Sequence, residues 1–201
     1  MTPPYVETET KLYVPDLRVI ENRLRELSAE VTMPRVLEAN VRYENAANTL
    51  TSAGIVVRLR QDTHARLTYK DSGHAENGIV SRFEAEVEVS DFQTMQIILG
   101  KLGYHPHMRY EKYRAAYALN GAEVTLDELP YGHFVEIEGD VTTIEQAIEQ
   151  LHLTQAPRFA NSYTALFERV KRVLGLQFND LTFANFEGID VPQSAFLPPQ
   201  A

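Results

Sequence analysis

Cysteine is absent from the 201-residue chain, which excludes disulfides and thiolate-bound metals and accords with a reducing cytosol. Apolar runs are short. None approaches the length that spans a bilayer, so no membrane partner is expected. The opening MTPPYVETET has neither a basic leader nor an apolar export core, and a cytoplasmic location is the expectation. Positive charge is scarce as well, with 19 Lys and Arg against 28 Asp and Glu and a formal net charge of -9. An acidic surface is repelled by a nucleic-acid backbone unless basic residues are segregated from it, so no nucleic-acid partner is expected. An anionic small ligand is not excluded, because local arrangement decides inside an enclosed site. Also lacking are the P-loop lysine motif, the dinucleotide glycine fingerprint and the His-Glu-x-x-His of zinc proteases.

What is present is alternation. YVETETKLYV reads as a strand, and one of its faces carries Glu7, Glu9 and Lys11. Asp16 can cap a helix that buries Leu17, Ile20, Leu24 and Leu27 and ends before Pro34. A strand-like segment follows over 36–43, then IVVRLRQ and RLTYK, then the turn-rich DSGHAENG ending in Asn77-Gly78. RFEAEVEV is the next strand. A helix after Asp91 places Phe92, Met95, Ile98, Leu99 and Leu102 on one face, and Gly103 stops it. EKYRAAYAL, AEVTLDEL after the Asn120-Gly121 turn, and FVEIEG add three strands. Thr142 and Glu145 have capping-box spacing before a helix burying Ile144, Ala147, Ile148 and Leu151, and a last helix starts near Asn161. Antiparallel strands interrupted by amphipathic helices predict an α+β domain, without internal repeat or dividing linker.

Splitting each strand by parity gives unequal faces. Val57 and Leu59 oppose Arg58 and Arg60; Leu67 and Tyr69 oppose Arg66, Thr68 and Lys70. Phe83, Ala85, Val87 and Val89 oppose Arg82, Glu84, Glu86 and Glu88. Tyr113 and Tyr117 oppose Lys112 and Arg114, Val124 and Leu126 oppose Thr125 and Asp127, and Val135 and Ile137 oppose Glu136 and Glu138. For any single strand the simplest reading is a charged face meeting water. Across the set, Arg-x-Arg, Lys-x-Arg and Glu-x-Glu doublets sort charge by sign, and helices on the apolar faces leave the sheet free to curl its charged face inward. A closed or nearly closed barrel with a charged lumen is expected. Its like charges need a ligand to offset them. A polyphosphate with a divalent cation supplies both, since Arg and Lys bind phosphate oxygens and carboxylates hold Mg²⁺ or Mn²⁺.

The ordered series Glu-x-Glu-x-Lys, Arg-x-Arg, LTYK, Arg-x-Glu-x-Glu, EKYR, LDELPYG and FVEIEG resembles the CYTH superfamily, or triphosphate tunnel metalloenzymes. SYTALF resembles a C-terminal motif of the same family, so the likeness runs over about residues 5–170. The family includes class IV adenylyl cyclases, thiamine triphosphatases and inorganic triphosphatases. The resemblance implies an eight-stranded antiparallel barrel with flanking helices, a tunnel domain over 1–175 and a tail over 176–201. It further implies that Glu7, Glu9, Asp127, Glu136 and Glu138 hold Mg²⁺ or Mn²⁺. Lys11, Arg58, Arg60, Lys70, Arg82, Lys112 and Arg114 would then bind the substrate, with Glu7, Glu9, Lys11 and Asp127 at the reacting centre. The expected partner is a triphosphate or nucleoside triphosphate. Hydrolysis of an inorganic or organic triphosphate is favoured, with cyclisation of ATP to cyclic AMP and pyrophosphate as the alternative and a non-catalytic polyphosphate-binding module as the second. The tail, with Phe178, Phe183, Phe186 and Phe196, is expected to pack on the barrel or on a second subunit of a homodimer. His105 and His107 are read as a polar loop between helix and strand rather than as metal ligands.

Overall fold

The computed structural model describes residues 5–197. In chain order its elements are β1 (Val6–Val14), α1 (Leu17–Glu26), β2 (Glu30–Asn45), β3 (Val56–Gln61), β4 (Ala65–Lys70), β5 (His74–Glu76) and β6 (Ile79–Val89). There follow α2 (Phe92–Lys101), β7 (Tyr104–Leu119), β8 (Ala122–Leu129), β9 (Gly132–Glu138), α3 (Val141–Gln150), β10 (Arg158–Phe159) and α4 (Tyr163–Leu174). Eight antiparallel strands run in the order β1-β9-β8-β7-β2-β3-β4-β6, and β1 also pairs with β6, which closes the barrel. β10 and β5 are extra strands on β1 and β6. The closed antiparallel barrel expected from the alternating faces is therefore the observed architecture.

Side chains of one parity leave the barrel, and helices cover part of that face, leaving Tyr69, Phe83 and Val87 exposed. Leu12 and Val14 of β1, with Val124, Leu126, Val135 and Ile137, meet Leu17, Ile20 and Leu24 of α1 and Ile144 and Ile148 of α3. Burying each such side chain contributes roughly 1.5–3 kcal/mol, so these helices fix which face of the sheet turns inward. A second, aromatic cluster joins Tyr13, Tyr131 and Phe134 to Tyr163 and Phe167 of α4. The tail belongs to it: Phe186 and Phe196 are buried there, with Phe178 at its edge. Leu181 exchanges backbone hydrogen bonds with Arg109 and Glu111 on β7, and the Phe183 ring lies 5.1 Å from that of Tyr113.

Local signals explain most boundaries. Asp16 and Asp91 accept from the amides of Arg18 and Thr94, and Gly175 in the left-handed region ends α4. Asn77-Gly78 and Asn120-Gly121 have positive φ at both residues, as two-residue hairpin turns require. Other expectations need correction. β2 begins at Glu30, because register shifts around Met33 and Val36 let the strand carry Pro34. The DSGHAENG loop contains β5. Asp140, not Thr142, caps α3, and Glu145 pairs with Arg158 instead. His105 and His107 lie on β7 rather than in a connection. α2 packs through Leu99, Phe92 and Met95 against Leu59, Val57 and Leu67, while Ile98 and Leu102 are exposed. Strands β3 and β4 are six residues each, and in the last turn of the helix only Leu99 is buried against them.

Candidate active site

Because the helices hold the apolar parity outside, the charged parity points into the barrel. The lumen is a cavity of about 540 Å³ whose wall includes Glu7, Glu9, Lys11, Arg58, Arg60, Lys70, Arg82, Lys112, Arg114, Glu136 and Glu138. Eleven of the twelve expected site residues thus share one cavity. Asp127 does not reach its surface. It is fully buried, and its carboxylate accepts from Arg114 Nε (2.7 Å), Arg114 Nη2 (2.6 Å), Lys112 Nζ (3.1 Å) and Tyr163 Oη (2.8 Å). With every bond directed at a donor, Asp127 orients Lys112 and Arg114 from behind the wall.

Most of the remaining charges form two networks of ion pairs. Lys11 pairs with Glu136 at 2.8 Å, and Arg114 bridges Glu136 to Asp127. Burial would lower the Lys11 pKa, but Glu136 and Glu9 outweigh it and raise it; burial would raise that of Glu136, but Lys11 and Arg114 hold it well below the usual range. Lys70 contacts Glu7 (2.8 Å) and Glu84, and Arg82 spans Glu7 (3.2 Å) and Glu9 (2.8 Å). Burial and a hydrogen bond with Glu7 push Glu84 up to about 7. Glu7 is held down at about 2, since its bonds to Glu84 and Lys70 outweigh the burial that would raise it.

Glu38 was not foreseen. It is 1% exposed, accepts from Asn40 at 2.9 Å, and lies 3.4 Å from Arg60 and 3.7 Å from Lys112. Glu86 joins Arg60 (3.0 Å) to Thr68 (2.7 Å), and Arg42, Glu123, Tyr110, Ser162, Tyr163 and Thr164 also line the wall. The signal for Glu38, Asn40 and Arg42 was their alternation with Val41 and Tyr43; for Glu123 it was its shared parity with Thr125 and Asp127.

Three carboxylates form a row across adjacent strands. Glu138 is directly opposite Glu9 on β1 and Glu123 on β8. Burial and the charges of Glu7, Glu123 and Glu9 push its carboxyl up to about 7. Among the described residues no cation lies within ion-pair distance of Glu138 or Glu123. Like charges directly opposite one another are destabilising, so the row fits the hard oxygen donor set of Mg²⁺ or Mn²⁺. As they stand, no three acidic or imidazole side chains among the described residues are grouped closely enough to hold one ion.

The CYTH domain description matches residues 6–161. The chain belongs to the CYTH family. Solved structures with the same fold include a candidate adenylate cyclase from Vibrio parahaemolyticus, at 23% identity and TM-score 0.69, covering 86% of this chain and 99% of that one. The PH1819 protein of Pyrococcus horikoshii OT3 is 24% identical with TM-score 0.64, covering 81% and 98%. A candidate adenylyl cyclase from Hippeastrum, reported with a dominant triphosphatase activity, is 20% identical with TM-score 0.60, covering 81% and 95%. At these identities the likeness establishes the fold of this CYTH chain. No curated protein matches it in sequence. Among the described residues, no helix is long and apolar enough to cross a membrane.

Proposed function

We propose that the protein is a divalent-metal-dependent enzyme that binds a triphosphate in the barrel lumen and hydrolyses it. The observation that carries this reading is the convergence of seven expected cations, Lys11, Arg58, Arg60, Lys70, Arg82, Lys112 and Arg114, on one cavity that also holds a row of carboxylates. Arg and Lys donate charge-assisted hydrogen bonds to phosphate oxygens, and Asp127 and Glu38 hold Lys112, Arg114 and Arg60 in place before substrate arrives. Glu9, Glu138, Glu123 and Glu7 would hold Mg²⁺ or Mn²⁺, which when bound neutralises phosphate charge and lowers the pKa of water. Lys11 sits 4.5 Å from the Tyr163 ring centroid and is fixed by Glu136, so its ammonium is aimed rather than free.

Cyclisation of ATP competes as a reading because it uses the same phosphate apparatus, but it also requires a grip on the base. Incubating the protein with inorganic triphosphate, thiamine triphosphate or ATP, with Mg²⁺, Mn²⁺ or chelator, tests both. Release of phosphate that depends on metal is the expected result. Cyclic AMP with pyrophosphate would replace hydrolysis by cyclisation, and no turnover of any triphosphate would leave a binding module.

A further inference from the structure

One sector of the barrel's outer face, across β1, β6 and β4, keeps its apolar side chains in water. Tyr5, Tyr69, Phe83 and Val87 are between 38% and 57% exposed and belong to none of the three buried clusters. Tyr5, Tyr69 and Phe83 are also the three exposed aromatics among the described residues. Their rings form one row, with Phe83 5.5 Å from Tyr5 and 6.2 Å from Tyr69. Helix α2 borders the row. It rests on Val57 and Leu67, which lie directly opposite Tyr69 and Val87, and its Ile98 and Leu102, four apart on one flank, are exposed. Together these six side chains present roughly 500 Å² of apolar surface, a size at which such a patch marks an interaction site. Exposed Val19, Val31, Val141 and Val173, by contrast, stand on four different elements. The tail does not cover the face, because it is anchored in the aromatic cluster through Phe186 and Phe196.

We propose that this face joins two copies of the chain in a two-fold dimer, with Phe83 near the centre of the contact. Charge decides the occupant. Outward positions 81 to 87 of β6, 67 and 69 of β4 and 6 and 8 of β1 hold no Asp, Glu, Lys or Arg, although the chain carries a net charge of -9. A charged partner would find no ion pairs to make there, and an anionic lipid surface would repel the acidic chain. A two-fold contact sets the same patch against itself, so two acidic copies meet through a sector where neither brings charge. Area agrees with this occupant. A stable interface takes about 800 Å² from each copy as an apolar core with a polar rim, and the six side chains supply the core. Thr8, Ser81 and the exposed His74 and Glu76 of β5, which pairs with β6, supply a rim. Tyr5 also lines the lumen cavity, so the contact reaches the rim of each lumen.

Sedimentation velocity of the ligand-free protein from about 1 to 100 μM tests the assignment on the parent, Phe83→Glu, Leu102→Glu and Val173→Glu. The parent should be a dimer at the upper concentrations. Phe83→Glu puts two carboxylates at the centre of the contact and should weaken it at least about 30-fold, as loss of a central interface anchor does. Leu102→Glu, nearer the edge, should weaken it less. That side chain is 68% exposed, so the variant keeps the test open should Phe83→Glu unfold, which its melting temperature would report. Val173→Glu, on α4 outside the face, should leave the dimer unchanged. Raising NaCl from about 50 to 500 mM should tighten the parent dimer by screening the repulsion between two acidic bodies. A monomeric parent would overturn the assignment, including one that floats with neutral phosphatidylcholine vesicles through this face. So would a dimer indifferent to both Phe83→Glu and Leu102→Glu, one broken equally by Val173→Glu, or one loosened by salt.

Discussion

Replacing Glu138 with Gln should stabilise the ligand-free protein at alkaline pH and have little effect in acid. Glu138 faces Glu9 on one side and Glu123 on the other. Each directly opposed like-charge pair costs about 0.2–1 kcal/mol, and exposure of Glu138 and Glu123 to solvent keeps the total near the lower half, about 0.5–1 kcal/mol. For a chain of this size that is a rise in melting temperature of about 1–4 °C. The pH dependence follows from linkage. The Glu138 carboxyl is raised from 4.5 to about 7 in the folded protein. Between those values the native state binds more protons than the unfolded one, so the parent loses stability as pH rises through this window. The Gln variant lacks that loss. Its advantage should open between pH 4.5 and 7 and level off above. Thermal melts in chelator from pH 4.5 to 8 measure it, and added Mg²⁺ should then stabilise the parent more than the variant. A variant less stable than the parent at pH 8, or an advantage independent of pH, would refute the claim that these carboxylates crowd one another.

Asp127→Asn should cost roughly 3–5 kcal/mol by urea denaturation, because it leaves the buried Lys112 and Arg114 without their shared partner; a near-neutral change would mean that Asp127 does not anchor them. Phe196→Ala, in the tail but 1% exposed against Tyr13, Tyr131 and Phe134, should cost roughly 3–5 kcal/mol in the same assay. Little change there would show that the tail is dispensable to the aromatic core.

The inward face of β1, β3, β4, β6, β8 and β9 was legible because side-chain parity is a property of the strand itself. Lys11, Arg58, Lys70 and Arg82 needed only that rule, plus helices to cover the opposite side. Parity states a face but not a depth. Asp127 has the parity of Thr125 and Glu123, yet Tyr163 from α4 closes over it, and only packing of a distant helix reveals that. β2 hid Glu38 and Arg42 because they carry opposite charges with Asn40 between them, so the strand lacks the same-sign doublets that marked its neighbours. The burial of Phe196 and the exposure of Leu102 both depend on how far the barrel wall extends, which local periodicity does not encode.

The central claim is that the lumen carboxylates act on a triphosphate rather than meet water. Its most direct test is the rate of phosphate release from inorganic triphosphate with Mg²⁺ by the parent and by Glu9→Gln, which keeps the side chain's shape and removes its charge. Glu9 is held by Arg82 and sits directly opposite Glu138. The account predicts turnover by the parent and a loss of at least about 100-fold in the variant, beyond what residues merely supporting a metal ligand usually cost. Equal rates would contradict it and return the charges of β1 to the role of a solvated face.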